Sequence, residues 1–226
     1  MKDEKHKKHR KRPHKSILVI GMGRFGRHLA IKLQGLGNSV LAIDKVERVI
    51  EDLAQQLDNT LIADCKSEAF MQTLGISNFD ICYVTIGEDF EASVLITSYL
   101  KRCGAQFIVT KASRNIHFDI LKSIGADEVV YPEWEWAEKV AIKHSNVGVI
   151  DYLPLDEGYS IYEVEAPAEW FGKSIVELKV RQKYDVNILT IKQNGRHHSP
   201  SADYVFSEGD TVTLMGTEKA VLKCLS

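Results

Sequence analysis

Three glycines in the stretch "ILVIGMGRFGRHLA", residues 17–30, have the spacing of a phosphate-binding turn. Gly21, Gly23 and Gly26 form a G-x-G-x-x-G pattern that follows a short apolar run and precedes apolar residues at helical spacing. In such a turn the first glycine permits the tight bend, the second lets the backbone approach a phosphate, and the third lets the helix pack on the strand. The N–H groups at the helix N-terminus then attract the anion.

An acidic residue follows the glycine motif at the distance expected for a ribose contact. Asp44 ends the second apolar run, 18 residues beyond Gly26, which is close to the spacing of an acid that accepts hydrogen bonds from ribose hydroxyls. A carboxylate there also disfavours a 2′-phosphate, so NADP is not expected. The alternative is a glycine turn that only packs. Together the glycines and the acid favour a nucleotide site.

Two further side chains border the expected site. Arg24 lies inside the glycine motif, where its forked donor can reach terminal phosphates, which favours ATP or ADP over NAD. The alternative is a first-turn arginine that points into water. Asp64 ends the third apolar run and is expected beside the adenine crevice. Its alternative role is to cap the helix that starts near Lys66.

Short apolar runs alternate with helical patterns from Ser16 to Pro132. The six predicted strands are "SILVIG", "NSVLAID", "NTLIAD", "FDICYVTIG", "AQFIVTKA" and "ADEVVYP". Helical patterns between them imply βαβ units and a parallel sheet that is covered on both faces. We therefore expect an α/β fold, with a Rossmann-like, doubly wound parallel sheet at residues 15–132.

The pattern changes after this segment. "EWEWAEKVAIKHSN" predicts a helix at residues 133–147 that leads out of the sheet domain. Strand-like runs then follow with turn signals between them, namely "YSIYEVEA", "VNILTIK" and "DTVTLMG". They predict a small α+β domain at residues 148–226.

Composition excludes several classes of protein. Residues 1–15 hold eight Lys or Arg against two acids, whereas the remainder holds 21 basic and 29 acidic residues. The basic tail at 1–14 is expected to be disordered, and either contacts anionic lipid or is simply solvated. A DNA-binding redox repressor with a basic arm fits this tail but not the acidic body, so no nucleic acid is expected. No apolar run approaches the roughly 20 residues of a membrane span, and no secretory signal follows the first charges.

Residues for catalysis or a protein-only metal site are not apparent. The four cysteines form no CxxC pair, which argues against zinc and disulfides and fits reduced cytoplasmic thiols. GxSxG, HExxH and Walker A sequences do not occur, and the histidines have no recognisable partners. We therefore predict a nucleotide sensor and not an enzyme. The alternatives are an NAD(H)-binding redox sensor and a dinucleotide-dependent oxidoreductase.

Several stretches together resemble a known family. "VIGMGRFG", "AID" at 42–44, "NFDICYVTIGEDFEAS", "VTKA", "IGADEVVYPE" and "EGDTVTLMG" are similar to the cytoplasmic regulatory subunits of Trk/Ktr-type potassium uptake systems, most of all the Ktr type. The resemblance covers roughly residues 15–226. It implies a Rossmann-like RCK N-domain and a smaller RCK C-domain.

The resemblance also implies a set of ligands. ATP and ADP are expected to compete for the Rossmann site, with NAD(H) as the other candidate, and Glu133 is expected to help hold Mg²⁺ or another cation near the phosphates. The implied nucleotide contacts are Gly21, Gly23, Arg24, Phe25, Gly26, Asp44, Lys45, Asp64, Cys65, Ile86, Gly87, Glu88 and Lys111. A cyclic di-AMP site in the C-domain would use Ile175, Val180, Arg181, Asn187, Ile188 and Pro200. Lys179 stands there where family members often carry an acid.

The assembly expected from the resemblance is a regulatory gating ring. RCK units would form dimers and then an octameric ring that contacts a membrane-embedded, K⁺-translocating subunit. The chain would then be cytoplasmic and peripheral to the membrane through its partner. The nucleotide would change the shape of the ring and thereby control K⁺ flux.

Overall fold

The computed structural model describes residues 14–145, 148–155 and 158–225. The predicted basic tail falls, except for His14, outside the described residues. The chain divides into two compact units, of which one ends at Pro132 and the other begins at Glu133.

A six-stranded parallel sheet forms the first unit. Its strands are β1 (Ser16–Ile20), β2 (Ser39–Asp44), β3 (Asn59–Ile62), β4 (Ile81–Val84), β5 (Ile108–Lys111) and β6 (Glu128–Val130). The helices between them are α1 (Arg24–Gly35), α2 (Glu47–Leu53), α3 (Glu68–Thr73), α4 (Phe90–Arg102) and α5 (Asn115–Ser123). The strand order is β3-β2-β1-β4-β5-β6, with every neighbouring pair parallel. The predicted doubly wound α/β class is confirmed.

The continuous apolar run of β1 is explained by the burial of both faces of this strand. Leu18 and Ile20 of β1 pack into one hydrophobic cluster, whereas Ile17 and Val19 pack into another on the opposite face of the sheet. A parallel strand that is covered on both faces has no polar side to alternate with. Because the strand order reverses between β1 and β4, their carboxyl ends flank the crevice in which such sheets bind ligands.

The second unit contains a five-stranded antiparallel sheet. Helix α6 (Pro132–Ser145) begins at the last residue of the first unit. The strands are β7 (Val149–Pro154), β8 (Tyr159–Glu165), β9 (Asn187–Gln193), β10 (Arg196–His198) and β11 (Thr211–Thr217), in the order β10-β9-β11-β8-β7. The remaining helices are α7 (Ile175–Leu178), α8 (Val180–Tyr184) and α9 (Glu218–Leu225). Alternate residues of β8 and β11, such as Tyr162, Val164, Val212 and Leu214, fill its core.

Candidate nucleotide-binding site

A different feature of the structure accounts for glycine at each position of the motif. Gly21 follows β1 with φ of 95°, in the left-handed region, and donates its N–H to the Ile43 carbonyl at 2.8 Å. A Cβ on Gly26 would lie 2.0 Å from the Gly21 carbonyl oxygen, so only glycine lets α1 pack this close to the turn. A Cβ on Gly23 would meet nothing within 4 Å beyond its chain neighbours. Packing therefore accounts for Gly26 but not for Gly23, whose open backbone can admit a phosphate.

The N-terminus of α1 offers hydrogen-bond donors at this turn. Gly23 is the N-cap residue, none of the described side chains caps the helix, and its first turn holds no acid. The first-turn N–H groups and the positive end of the helix dipole can therefore serve an anion. Arg24 is the first residue of α1 and is exposed. Its guanidinium adds a forked donor of the kind that pairs with phosphate.

Asp44 joins the glycine turn to the loop after β2. Its Oδ2 accepts the Met22 N–H at 2.6 Å and its Oδ1 accepts the Val46 N–H at 2.9 Å. Each carboxylate oxygen can accept more than one hydrogen bond, so Asp44 keeps acceptor capacity for ribose hydroxyls. The same residue thus fixes the turn and fits the predicted ribose contact.

Thr85, which the sequence reasoning missed, supports the turn from the end of β4. This residue is 5% exposed, and its Oγ1 lies 2.5 Å from the Gly21 carbonyl oxygen and 3.1 Å from that of Ile20. Its own N–H donates to the Ile20 carbonyl at 2.9 Å. A threonine at the end of an apolar strand was the one signal available, and it became informative only once β4 was placed beside β1.

Asp64, after the end of β3, accepts a hydrogen bond from the backbone of its own loop. Asp64 is exposed, and its Oδ1 accepts the Lys66 N–H at 2.9 Å. The alternative prediction that Asp64 caps the following helix is wrong, because Ser67 is the N-cap of α3 and accepts from the Phe70 N–H. The role of Asp64 at the adenine end stays a prediction.

Cys65 lies beneath the site. Its side chain is 3% exposed and belongs to the hydrophobic cluster on one face of the sheet. Burial, followed by the negative charges of Asp64 and Asp44, raises the pKa of this thiol to about 12. The thiol therefore stays protonated and packed, so any contact of Cys65 with a nucleotide would come through its backbone.

A salt bridge links the loops after β3 and β4. Lys66 lies 3.6 Å from Asp89, which also caps α4 by accepting the Ala92 N–H at 2.9 Å. That backbone hydrogen bond lowers the pKa of Asp89, and the positive charges of Lys66 and Lys45 lower it further. Lys45, predicted as a nucleotide contact, thus lies near this part of the crevice.

The remaining predicted contacts lie on the side of β4 and β5. Ile86 packs beside the glycine turn, because a Cβ on Gly21 would lie 2.8 Å from its Cγ1. Lys111 places its Nζ 5.9 Å from the centre of the Phe25 ring, at the start of α1. Glu88 is exposed on the loop between β4 and α4. The fold therefore gathers the predicted residues of the first unit, Gly87 included, at the carboxyl ends of β1, β2, β3, β4 and β5 or in the segments that follow them.

The predicted cation ligand lies in the second unit. Glu133 is in the first turn of α6 and is exposed. Within the part of the chain that the structure describes, no group of three or more His, Cys, Asp or Glu side chains is placed to hold a metal ion. The cation role of Glu133 stays a prediction.

The residues predicted for cyclic di-AMP lie between α7 and the segment after β10. They are Ile175 on α7, Val180 and Arg181 on α8, Asn187 and Ile188 on β9, and Pro200. Val180 is 3% exposed within the core, whereas Arg181 is exposed on α8. Lys179 links the two helices with φ of 52°, a left-handed conformation that is uncommon for lysine. Binding of cyclic di-AMP stays a prediction.

None of the helices among the described residues combines the length and the apolar content needed to cross a membrane.

Comparisons with known proteins identify the family. The TrkA-N domain matches residues 17–132 and the TrkA-C domain matches residues 159–224. The Ktr system potassium uptake protein A of Bacillus subtilis is 36% identical over 208 residues, which cover 92% of this chain and 94% of the relative. The Ktr system potassium uptake protein C of the same organism is 35% identical over 204 residues, which cover 90% and 92%.

A solved structure has the same fold. The GsuK RCK domain aligns with a TM-score of 0.66 at 18% identity, over 94% of this chain and 47% of the other. Because the relatives are potassium uptake proteins, the prediction that this chain is not an enzyme is confirmed. The chain therefore belongs to the TrkA-N and TrkA-C domain family, as a Ktr-type RCK regulatory subunit of a potassium uptake system.

Proposed function

We propose that this subunit senses adenine nucleotides at the glycine turn and that ATP and ADP set the K⁺ flux of its system. The observation that carries the proposal is the convergence of three features at one edge of the sheet. They are the open backbone of Gly23, the uncapped first turn of α1 and the carboxylate of Asp44. Together they match the phosphates and the ribose of a nucleotide.

Regulation requires that the two nucleotides bind differently. A ligand shifts a conformational equilibrium only by its difference in affinity for the two conformations. ATP and ADP differ by one terminal phosphate, so the residue that reads this phosphate carries the signal. Arg24 is our candidate, because it is exposed at the first position of α1 and bears a forked donor.

The partner and the assembly belong to the same proposal. The relatives are named as parts of potassium uptake systems, and the described helices lack a membrane span of their own. We therefore propose that the chain acts on a membrane-embedded, K⁺-translocating subunit and does so as a ring of identical chains. Native mass spectrometry of the purified chain would test the expected octamer, and a monomer or dimer with and without nucleotide would contradict it.

The nucleotide role is tested by replacing the arginine. We expect Arg24→Ala to weaken ATP binding by about 10- to 150-fold, since a charge-assisted hydrogen bond contributes about 1.5–3 kcal/mol. ADP binding should fall by much less. Isothermal titration calorimetry with both nucleotides measures the two losses.

A matched control separates this effect from a general loss of positive charge. Arg196 is exposed on β10 of the second unit, so Arg196→Ala removes the same charge from another surface. It should leave both affinities unchanged. Equal losses for ATP and ADP in Arg24→Ala would reject the reading of the terminal phosphate by this residue.

A further inference from the structure

A cavity of about 370 Å³ lies in the first unit, between α3 and α4. Two of its lining side chains, Met71 and Ile76, belong to the hydrophobic cluster on this face of the sheet and are 0% and 2% exposed. The volume falls within the range of about 300–1,000 Å³ that is typical of small-molecule sites. The lining residues include none of those predicted to contact a nucleotide, so this cavity is separate from the glycine turn.

An ion pair lines the cavity. Arg102, the last residue of α4, donates to the carboxylate of Glu68, the first residue of α3. Their side chains are 61% and 41% exposed, and the Arg102 guanidinium lies 5.8 Å from the centre of the Tyr99 ring. Because an exposed ion pair contributes little to stability, it can open at small cost and offer one cation and one anion to a ligand.

The same cavity carries a thiol. Cys103, the C-cap residue of α4, lines the cavity and is half-buried, whereas Cys65, Cys82 and Cys224 are buried. Burial raises the pKa of each of these three other thiols. The nucleophile in thiol–disulfide exchange is the thiolate, and it must reach the sulfur that it attacks. Cys103 is therefore the cysteine of this chain that is placed to react in the folded state.

These groups together define the chemistry of a matching ligand. A sulfur atom would meet Cys103, a carboxylate would pair with the forked guanidinium of Arg102, and an ammonium group would pair with Glu68. Cysteine carries all three groups within one small molecule. A ligand of this class would exchange the existing ion pair for two new ones and would cover the apolar part of the cavity.

We propose that the cavity between α3 and α4 is a modification site, at which Cys103 forms a mixed disulfide with a small thiol that bears an amino-acid zwitterion. The co-reactant is the symmetric disulfide of that thiol, such as cystine. The Cys103 thiolate attacks one sulfur of this disulfide, a bond from Cys103 Sγ to that sulfur forms, and the original S–S bond breaks. The other half leaves as a thiolate and takes up the proton that Cys103 released. Cys103 is thereby oxidised and the leaving half is reduced, so the adduct forms when the pool of small thiols becomes oxidised.

Mass spectrometry of the unaltered chain tests the site. The chain would be reduced, freed of reductant and incubated with cystine. We expect an adduct at Cys103 that dithiothreitol removes, while Cys65, Cys82 and Cys224 stay unmodified. Cys103→Ser should take up no cystine over the same time. Absence of an adduct at Cys103, or equal modification of a buried cysteine, would overturn the proposal.

Two disulfides that differ in charge test whether the cavity recognises the zwitterion. Cystine bears it, whereas hydroxyethyl disulfide is uncharged. We expect the ratio of the two reaction rates at Cys103, cystine over hydroxyethyl disulfide, to be at least about twofold higher in the folded chain than in urea, where the cavity is lost. An equal ratio in the folded and the unfolded chain would refute recognition by the cavity.

Variants then test whether the ion pair is the cause. Glu68→Gln combined with Arg102→Gln removes the pair at constant net charge, and the rate ratio of the folded variant should fall to the value in urea. Glu163→Gln combined with Lys192→Gln is the matched control, because it removes a 3.5 Å ion pair from the second unit and should leave the ratio unchanged. Thermal unfolding checks that each variant is folded, and Glu68→Gln alone serves if the first is not. A ratio that survives loss of the cavity pair, or that falls equally in the control, would refute the role of Arg102 and Glu68.

Discussion

Replacement by alanine is expected to have opposite effects at two glycines of the motif. Gly26→Ala should lower the stability of the fold, whereas Gly23→Ala should lower only the affinity for the nucleotide. In Gly26→Ala the new Cβ would lie 2.0 Å from the Gly21 carbonyl oxygen and 2.4 Å from Thr85 Oγ1. The nearer atom is backbone at the end of β1, so α1 must move away from the sheet. Overpacking of this kind costs about 1–3 kcal/mol, which corresponds to a fall in Tm of roughly 2–12 °C.

Gly23→Ala should leave the fold intact. Gly23 has φ of −64° and ψ of −174°, which any residue can adopt, and its Cβ would meet nothing within 4 Å beyond its neighbours. We expect the free energy of unfolding to change by less than about 1 kcal/mol, with a small gain from the stiffer unfolded chain. ADP affinity should nevertheless fall at least about tenfold, because the methyl group occupies the space that a phosphate needs.

Urea unfolding and ADP titration of the two variants give the four numbers required. The expected pattern is a destabilised Gly26→Ala and a stable Gly23→Ala that has lost its nucleotide. If Gly23→Ala bound ADP as the unaltered chain does, the second glycine would not mark a phosphate site. If Gly26→Ala kept full stability, the close contact between α1 and the turn would be wrong.

Three further outcomes follow from the contacts. Thr85→Val removes the buried hydroxyl beside the Gly21 carbonyl and should lower the free energy of unfolding by about 1–3 kcal/mol in urea titration; no change would deny the support of the turn. Tyr204→Phe removes the 2.8 Å hydrogen bond to Asp210, a carboxylate that is 2% exposed, and should destabilise the second unit by about 1–3 kcal/mol in the same assay; an unchanged midpoint would contradict that role. Maleimide should label Cys103 before the other cysteines of the native chain, because the other thiols are buried and have raised pKa values. Mass spectrometry would follow the order of labelling, and early labelling of any other cysteine would refute it. Those thiols are Cys65 and Cys82, both with a pKa of about 12, and Cys224, with a pKa of about 11.

The sequence predicted the parallel sheet well because each strand carries its own signal. In β1 both faces are buried, so Ile17 to Ile20 form an unbroken apolar run that ends at a glycine. Such local signals survive without knowledge of the neighbours. Gly21, Gly26 and Asp44 were recognisable for the same reason, since the motif and the spacing lie within one βαβ unit.

Short elements of the second unit were harder to predict. Strand β10 has three residues, all exposed, and helices α7 and α8 have four and five residues, which is too short for a helical period to emerge. Strand β7 and helix α9 were likewise not predicted. Tertiary packing on the sheet, and not local pattern, determines these elements.

Supporting contacts between distant residues lay beyond sequence reasoning. Thr85 meets Gly21 across 64 positions, and Ser113 meets Gly87 across 26 positions. Nothing in the local sequence of either residue indicates its partner. These contacts follow only from the order in which the strands pair, which places β4 between β1 and β5.

The central claim, that this subunit responds to adenine nucleotides at the glycine turn, is tested most directly by thermal shift of the unaltered chain. ATP, ADP, NAD⁺, NADH and cyclic di-AMP would each be added with and without Mg²⁺. A ligand at 100 times its Kd stabilises the fold by about 2.7 kcal/mol, which is readily measured. We predict large shifts with ATP and ADP, with the ATP shift increased by Mg²⁺. A large shift with NADH and none with ATP would contradict the account and favour a redox sensor.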